Sequence, residues 1–307
     1  MYLFNHTIGS FLVDESGNIK EEILISKQCN AQECVITLLK KHPKTPIVST
    51  ELIPTILTQL KEKKYRSLYH QANEQITSTA LKATVNEDFL IIQAVGLLDE
   101  IDKTGNILAK RLREWHALSY PELENKTQDH FFYARLIHEK TNQEIEKELH
   151  IPNTLGHELS EVDQAPIKLL AKQVIELFEL RKQTENYLKE VMIKYAPNMS
   201  ELAGTNIAAK LLMHARSLKH LAMLPASTLQ LFGAEKALFR HIKTGARSPK
   251  YGIIINHPIV QNASKDDKGK AARLLADKLS LCARLDYFKG EFKAPEYRTE
   301  IETKLKQ

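Results

Sequence analysis

The chain of 307 residues is long enough for two domains, or for one domain with an elongated insert, and its composition of 43% hydrophobic, 26% charged and 7% aromatic residues excludes low-complexity disorder and a collagen-type repeat. Its 43 Lys and Arg against 38 Asp and Glu leave a formal charge of +5, too mild by itself to announce a nucleic-acid binder. No two of the 11 glycines lie two apart and none opens a GxxxxGK[ST] run, so the phosphate-cradling loops of Rossmann domains and P-loop NTPases are missing. No cofactor is expected, and a self-sufficient methyltransferase, dehydrogenase or NTPase is disfavoured.

The first eighty residues read as a small α/β unit. Met1–Phe4 and Ser10–Val13 are short apolar runs, Asp14-Glu15-Ser16-Gly17-Asn18 carries turn chemistry, and Ile19 resumes the pattern. Asn30 and Glu33 have the spacing of a capping box, which opens a helix through about Lys41. Pro43 and Pro46 end it, Pro46-Ile47-Val48 is read as a further strand, and a helix follows Thr50. Cys29 and Cys34 form a C-x4-C pair with Cys282 far away; without a His pair to complete a zinc set, all three are read as reduced structural thiols. Met1 to Gly17 lacks the early cations and apolar run of a secretory signal. The most apolar stretch, Phe89–Leu98, is interrupted by Gln93 and too short for a bilayer, so a soluble intracellular protein without a membrane partner is expected.

Residues 88–117 predict one long helix. Ile91, Leu98, Gly105 and Leu112 recur every seven residues, as do Ala94, Ile101, Leu108 and Trp115, an a/d seam with Gly105 as its weak point. A second seam joins Leu170, Leu177, Thr184 and Val191 with Val174, Arg181, Leu188 and Tyr195, bounded by Pro166 and Pro197. The two lengths suit an antiparallel coiled coil with a helical cap between them; an ordinary helical-bundle core fits the periodicity equally well, and the polar Arg181 and Thr184 favour an elongated element of specified register.

The charge is unevenly spread. Residues 197–307 hold 19 Lys and Arg against 10 Asp and Glu, and residues 1–196 hold 24 against 28, so a basic half follows an acidic one and implies an anionic partner. Helical stretches recur from Ala203 to His220, and Leu224-Pro225-Ala226-Ser227-Thr228 breaks the chain. Gly233 then permits a turn and Gly245 stops the helix that follows. Lys236, Arg240 and Lys243 share one face of it, and Ala234, Leu238 and Ile242 form the opposite, packing face. Arg247, Pro249 and Lys250 lie in a loop, Tyr251–Ile255 is read as a strand, and Lys265, Lys268, Lys270 and Arg273 cluster around the start of another helix. A single Lys is ordinarily a solvated surface residue; three cationic segments with little acid beside them point to a phosphate-contacting surface, aided by the amides of the Gly233 helix start. His257, before Pro258, fits a turn residue and also a base-stacking imidazole. Phe239 is read as core in preference to stacking on a base, and Glu235 as the partner of a cation or of a nucleotide amine, since no nucleophile or metal set accompanies it.

The run Gly233-Ala234-Glu235-Lys236-Ala237-Leu238-Phe239-Arg240 closely resembles the signature of the Nop domain, found in core proteins of box C/D ribonucleoproteins and in a related spliceosomal protein. Pro225-Ala226-Ser227-Thr228, Lys243-Thr244-Gly245-Ala246, Pro249-Lys250-Tyr251-Gly252, Lys268-Gly269-Lys270-Ala271-Ala272-Arg273 and Ala283-Arg284-Leu285-Asp286-Tyr287-Phe288 also look like segments of that family. So do Leu97-Leu98-Asp99-Glu100-Ile101-Asp102-Lys103 and Arg111-Leu112-Arg113-Glu114-Trp115 on the first long helix.

The resemblance implies a mainly α protein in three parts. These are an N-terminal α/β domain over 1–84 that docks the methyltransferase fibrillarin, a coiled-coil domain over 85–196 that pairs two copies, and a C-terminal α-helical Nop domain over 197–307. The last binds a kink-turn guide RNA together with the kink-turn-binding protein already on it. The implied activity is non-catalytic: a scaffold for RNA 2′-O-methylation, with the chemistry in fibrillarin. The alternative is the spliceosomal relative, which binds a small nuclear RNA without a methyltransferase; an RNA-modifying enzyme in its own right is a third reading, disfavoured by the missing cofactor loop. Lys236 and Arg240 become the principal RNA contacts, with Gly233, Ala234, Glu235, Ala237, Lys243, Arg247, Lys250, His257, Lys270 and Arg273 around them. Ile91, Leu98, Leu108, Leu112, Leu170, Val174, Leu177, Leu188 and Val191 are the implied pairing residues. Two departures stand out: the N-terminal unit is short for the family, and Arg216 stands where relatives tend to have Gly. The C-terminus, Lys304-Leu305-Lys306-Gln307, is no long Lys-rich tail, which favours an archaeal, cytoplasmic protein over a nucleolar one.

Overall fold

A computed structural model describes residues 1–25, 31–43, 45–149 and 154–306. The chain divides into two compact units, Met1–Val85 and Asn86–Gln307. In the first, β1 (Tyr2–His6), β2 (Gly9–Val13) and β3 (Ile19–Leu24) form an antiparallel sheet in the order β1-β2-β3. Period-two alternation sorts its side chains. Leu3, opposite Leu12, faces Leu38 of α1 (Ala31–Lys41), while Phe4, opposite Phe11, faces Ile56 of α2 (Ile53–Gln59), Tyr65, and Ala72 of α3 (Arg66–Thr84). Both sheet faces are thereby covered. The expected turn is held by Asp14, whose Oδ1 accepts from the amides of Ser16 at 3.0 Å and Asn18 at 2.9 Å. The strand expected at Pro46–Val48 is only a single parallel bridge, Leu3 to Ile47, because Pro46 lacks a ladder donor. Cys29 and the Asn30 cap lie outside the described residues; Cys34 and Cys282 are buried.

The second unit is built on α4 (Glu87–His116) and α8 (Glu161–Tyr195). Leu188 and Met192 share a core with Ile91, Ala94 and Leu98, and Ile167, Ala171 and Val174 share another with Ala109 and Leu112, so the two helices run antiparallel within one chain. At mid-length Gly105 faces Phe178, and Arg181 reaches across the seam to Asp102 at 2.6 Å, the polar partner that fixes register. The heptad reading holds for most of α4 and fails at its end. Trp115 is exposed and the buried face passes through Ala109, Leu112, Arg113 and His116, the drift expected of 3.6 residues per turn against a repeat of 3.5. Pro166 does not bound α8, which starts five residues earlier on a Ser160 cap. Between the long helices, α5 (Glu122–Lys126), α6 (His130–Glu139) and α7 (Asn142–Leu149) form the expected cap. It holds a buried polar cluster in which Arg113 Nε donates to His130 at 3.0 Å and His116 lies 3.2 Å from the Tyr133 hydroxyl.

Then follow α9 (Pro197–Ala203), α10 (Thr205–Ala215), α11 (Leu218–Met223), α12 (Ala226–Leu231), α13 (Glu235–Thr244), α14 (Pro258–Gln261), α15 (Lys268–Tyr287) and α16 (Ala294–Lys306). The Pro225 segment starts a helix as well as ending one, and Tyr251–Ile255 is no strand: Ile253–Asn256 is a 3-10 turn. Helix α15 is central, with Ala271, Leu275, Leu279 and Ala283 buried in a core that also includes Ile91 and Leu188. Residues 85–196 and 197–307 therefore share one core, and no packing boundary lies at 196/197. Lys210 on α10 adds an ion pair to Asp99 of α4 at 2.8 Å.

Two turns carry strain. Arg216, at φ 66°, and Lys289, at φ 55°, are the non-glycine residues with left-handed backbone among the described residues. That conformation costs an L-residue about 1–2 kcal/mol, more than the ~0.3–1 kcal/mol a cation gains at a helix C-terminus.

Candidate nucleic-acid interface

Helix α13 begins and ends on left-handed glycines, Gly233 at φ 84° and Gly245 at φ 68°. A Cβ on Gly233 would stand 2.6 Å from Ile253 Cγ1, so glycine is required there on conformational and on steric grounds. The turn is further knitted to the loop beyond α13: the amides of Gly252 and Ile253 donate to the carbonyls of Gln230 at 2.8 Å and Phe232 at 2.7 Å, and Gln230 Nε2 donates to the Lys250 carbonyl at 2.6 Å. Gly269, in the first turn of α15, lies against the Lys250 side chain. These contacts bring three cationic segments together: α13, the Lys250 loop, and the start of α15 with Lys270 and Arg273.

Lys236, Arg240, Lys243, Arg247, Lys250, Lys270 and Arg273 are all exposed, and none is in an ion pair among the described residues. Elsewhere in the basic half Lys278, Lys293 and Arg298 do have carboxylate partners. Ala234 and Ala237 are half-buried beneath the cations.

Three expectations are corrected. His257 is 3% exposed, accepts from the Ile259 amide through Nδ1 and is bound through Nε2 to the Leu202 carbonyl at 3.0 Å; burial lowers its pKa. It caps α14 and does not face solvent. The Gly233 amide is not open to phosphate, because Glu235 Oε1 accepts it at 2.8 Å while lying 3.2 Å from His214 Nδ1 on α10. Burial acts to raise the Glu235 carboxyl, and the Gly233 amide and His214 outweigh it, so its pKa is lowered. Glu235 is thus held by its own helix start. Finally, α13 buries no residue: Phe239 is 66% and Ile242 69% exposed, so its apolar face is half-open. Helical periodicity identified that face and could not say that none of the described residues covers it.

Among the described residues no His, Cys, Asp and Glu group could hold a metal, and no helix is long and apolar enough to cross a membrane.

The Nop family model, described as a snoRNA binding domain and fibrillarin, matches residues 97–307. A NOP5 family protein of Methanocaldococcus jannaschii is 36% identical over 80% of this chain and 63% of its own length. Nucleolar protein 58 of Yarrowia lipolytica is 37% identical over 84% of this chain and 54% of its own. The chain thus spans about half to three-fifths of the curated relatives it matches. A crystal structure of a fibrillarin/Nop5p complex matches 99% of this chain and 98% of the solved one at 28% identity, with a TM-score of 0.48.

Proposed function

The chain belongs to the Nop family, and from that premise we propose that it is a non-catalytic scaffold of a box C/D guide ribonucleoprotein. It holds a kink-turn guide RNA with its kink-turn-binding protein and recruits fibrillarin, which performs 2′-O-methylation. The carrying observation is the unpaired cation face of α13, joined by Lys250, Lys270 and Arg273 in the half of the chain that is net basic. Phosphates bind there, and the open apolar face with Phe239 and Ile242 meets the protein already on the RNA.

The acidic half supplies the protein contacts: residues 1–84 dock fibrillarin, and α4 with α8 pairs two copies. Since the seam of Ile91, Leu98, Leu188 and Val191 is used within the chain, self-association falls to the outer groove of Leu90, Leu97, Leu180 and Tyr187, whose side chains are exposed. The nucleolar names of eukaryotic relatives support a nucleolar location if the source is eukaryotic, and the archaeal relative a cytoplasmic one otherwise.

Reconstitution tests the reading. Guide RNA, kink-turn-binding protein and fibrillarin are expected to methylate a target only when this chain is added; equal methylation without it overturns the proposal. Capture of RNA without any capture of fibrillarin by the full chain would instead favour the spliceosomal relative.

A further inference from the structure

The two left-handed cations, Arg216 and Lys289, each stand in the turn that ends a helix. Arg216 follows the last residue of α10, its amide donating to the Met213 carbonyl at 3.2 Å. Lys289 follows α15 by two residues, in a turn closed by the Gly290 amide on the Leu285 carbonyl at 2.8 Å. Both side chains are exposed. Glycine closes such turns without strain, and the attraction of a cation to a helix C-terminus is smaller than that strain. Retained strain of this kind points to a use for the side chains.

The first turn is tied to the start of α4 and the second lies against the end of α8. Two residues past Arg216, the Leu218 amide donates to Asp88 Oδ1 at 2.9 Å; burial, with Asp88 second, holds the Tyr195 phenol well above its ordinary pKa; and Lys289 Nζ lies 5.6 Å from the centre of the Tyr195 ring. The neighbouring acids are largely committed. Asp88 is buried and accepts the Leu218 amide, Glu291 is paired with Lys293 at 3.0 Å, and Glu87 is the exposed acid near Tyr195. Arg216 and Lys219 are in no ion pair among the described residues. Beside Lys289, Phe288 is 74% exposed, its ring edge-on to Tyr287. An open ring among cations suits an unpaired base with its phosphates.

We propose that Arg216 and Lys289 contact RNA phosphates, making a second RNA surface at the ends of α10 and α15, separate from α13, with Phe288 as its stacking platform. The inference rests on the scaffold reading above.

The test uses the full chain, a box C/D guide RNA loaded with its kink-turn-binding protein, and affinity measured across a salt series. Arg216→Gly and Lys289→Gly are each expected to raise the melting temperature while lowering the log–log salt slope by about 0.7 to 0.9. Phe288→Ala is expected to weaken binding about fivefold or more with the slope unchanged. Gly variants that melt higher with unchanged slope and affinity, while Lys236→Ala lowers the slope, overturn this inference and leave the scaffold reading standing. Gly variants that melt lower overturn the strain argument on which it stands. A wild-type chain that ignores the loaded RNA overturns both readings.

Discussion

Asp286, near the end of α15, closes the start of α9 through Asn198. Its Oδ1 accepts both the backbone amide of Asn198 at 3.0 Å and its side-chain amide at 2.9 Å, and Oδ2 accepts the Met199 amide at 2.9 Å. Asn198 Oδ1 in turn accepts from Lys293 at 2.8 Å and Ala294 at 3.2 Å, where α16 begins. One buried pair thus ties three helix ends, which accounts for an acid in the middle of an apolar segment.

Asp286→Ala is expected to destabilise the chain by about 3 kcal/mol or more, since it strands three buried donors at roughly 1–3 kcal/mol each. Denaturant unfolding measures this; a loss below 1 kcal/mol contradicts the role given to the pair.

Lys236→Ala and Arg240→Ala are expected to leave stability within about 0.5 kcal/mol, as both side chains are exposed. Each lowers the salt dependence of RNA binding by about 0.7 to 0.9 in log–log slope for every phosphate the variant no longer neutralises. Unchanged slopes in both variants would place this face away from RNA.

Phe239→Ser and Ile242→Ser, at positions 66% and 69% exposed, are expected to fold normally and to lose affinity for the protein–RNA complex more than for naked RNA. Equal losses for the two ligands would remove the protein partner from this face.

Leu188→Asp, at a side chain 1% exposed in the seam, is expected to abolish helical packing. Leu97→Asp, in the outer groove, is expected to keep the circular dichroism spectrum and, on the proposed pairing of two copies, to move the light-scattering mass to that of single chains. A paired Leu97→Asp variant locates self-association elsewhere.

The pKa of His116 is lowered by burial from 6.5 to about 4, with a smaller opposing contribution from Asn142. Between those values the unfolded chain takes up a proton that the folded one refuses, so stability falls as pH drops from about 6.5 towards 4. The full difference corresponds to about 3 kcal/mol. Unfolding midpoints measured at pH 7 and pH 4.5 should separate by more for the wild type than for His116→Gln, in which the buried His257 still contributes; parallel behaviour of the two proteins contradicts the assignment.

The bounds and the cationic face of helix α13 were legible, because turn glycines and a cationic stride are local properties of the chain. The α4 and α8 seams were legible for the same reason up to Leu112, where the accumulated drift of the helix turned Trp115 outward and His116 inward. His257 and Phe239 were not legible. An imidazole before proline has the same sequence whether it meets a base or the Leu202 carbonyl, and a Phe on an apolar face has the same spacing whether a core covers it or not.

By itself, then, the sequence determined the long helices and the α13 segment, the division of charge between halves, the absence of cofactor-loop signatures and the family. Tertiary structure alone decided which partner each polar group takes. Glu235 turns back on Gly233, Arg181 finds Asp102 seventy-nine residues away, and Lys289 comes to lie against the Tyr195 ring. Propensity and periodicity are short-range properties; pairing, burial and backbone strain depend on chain segments that only folding brings together.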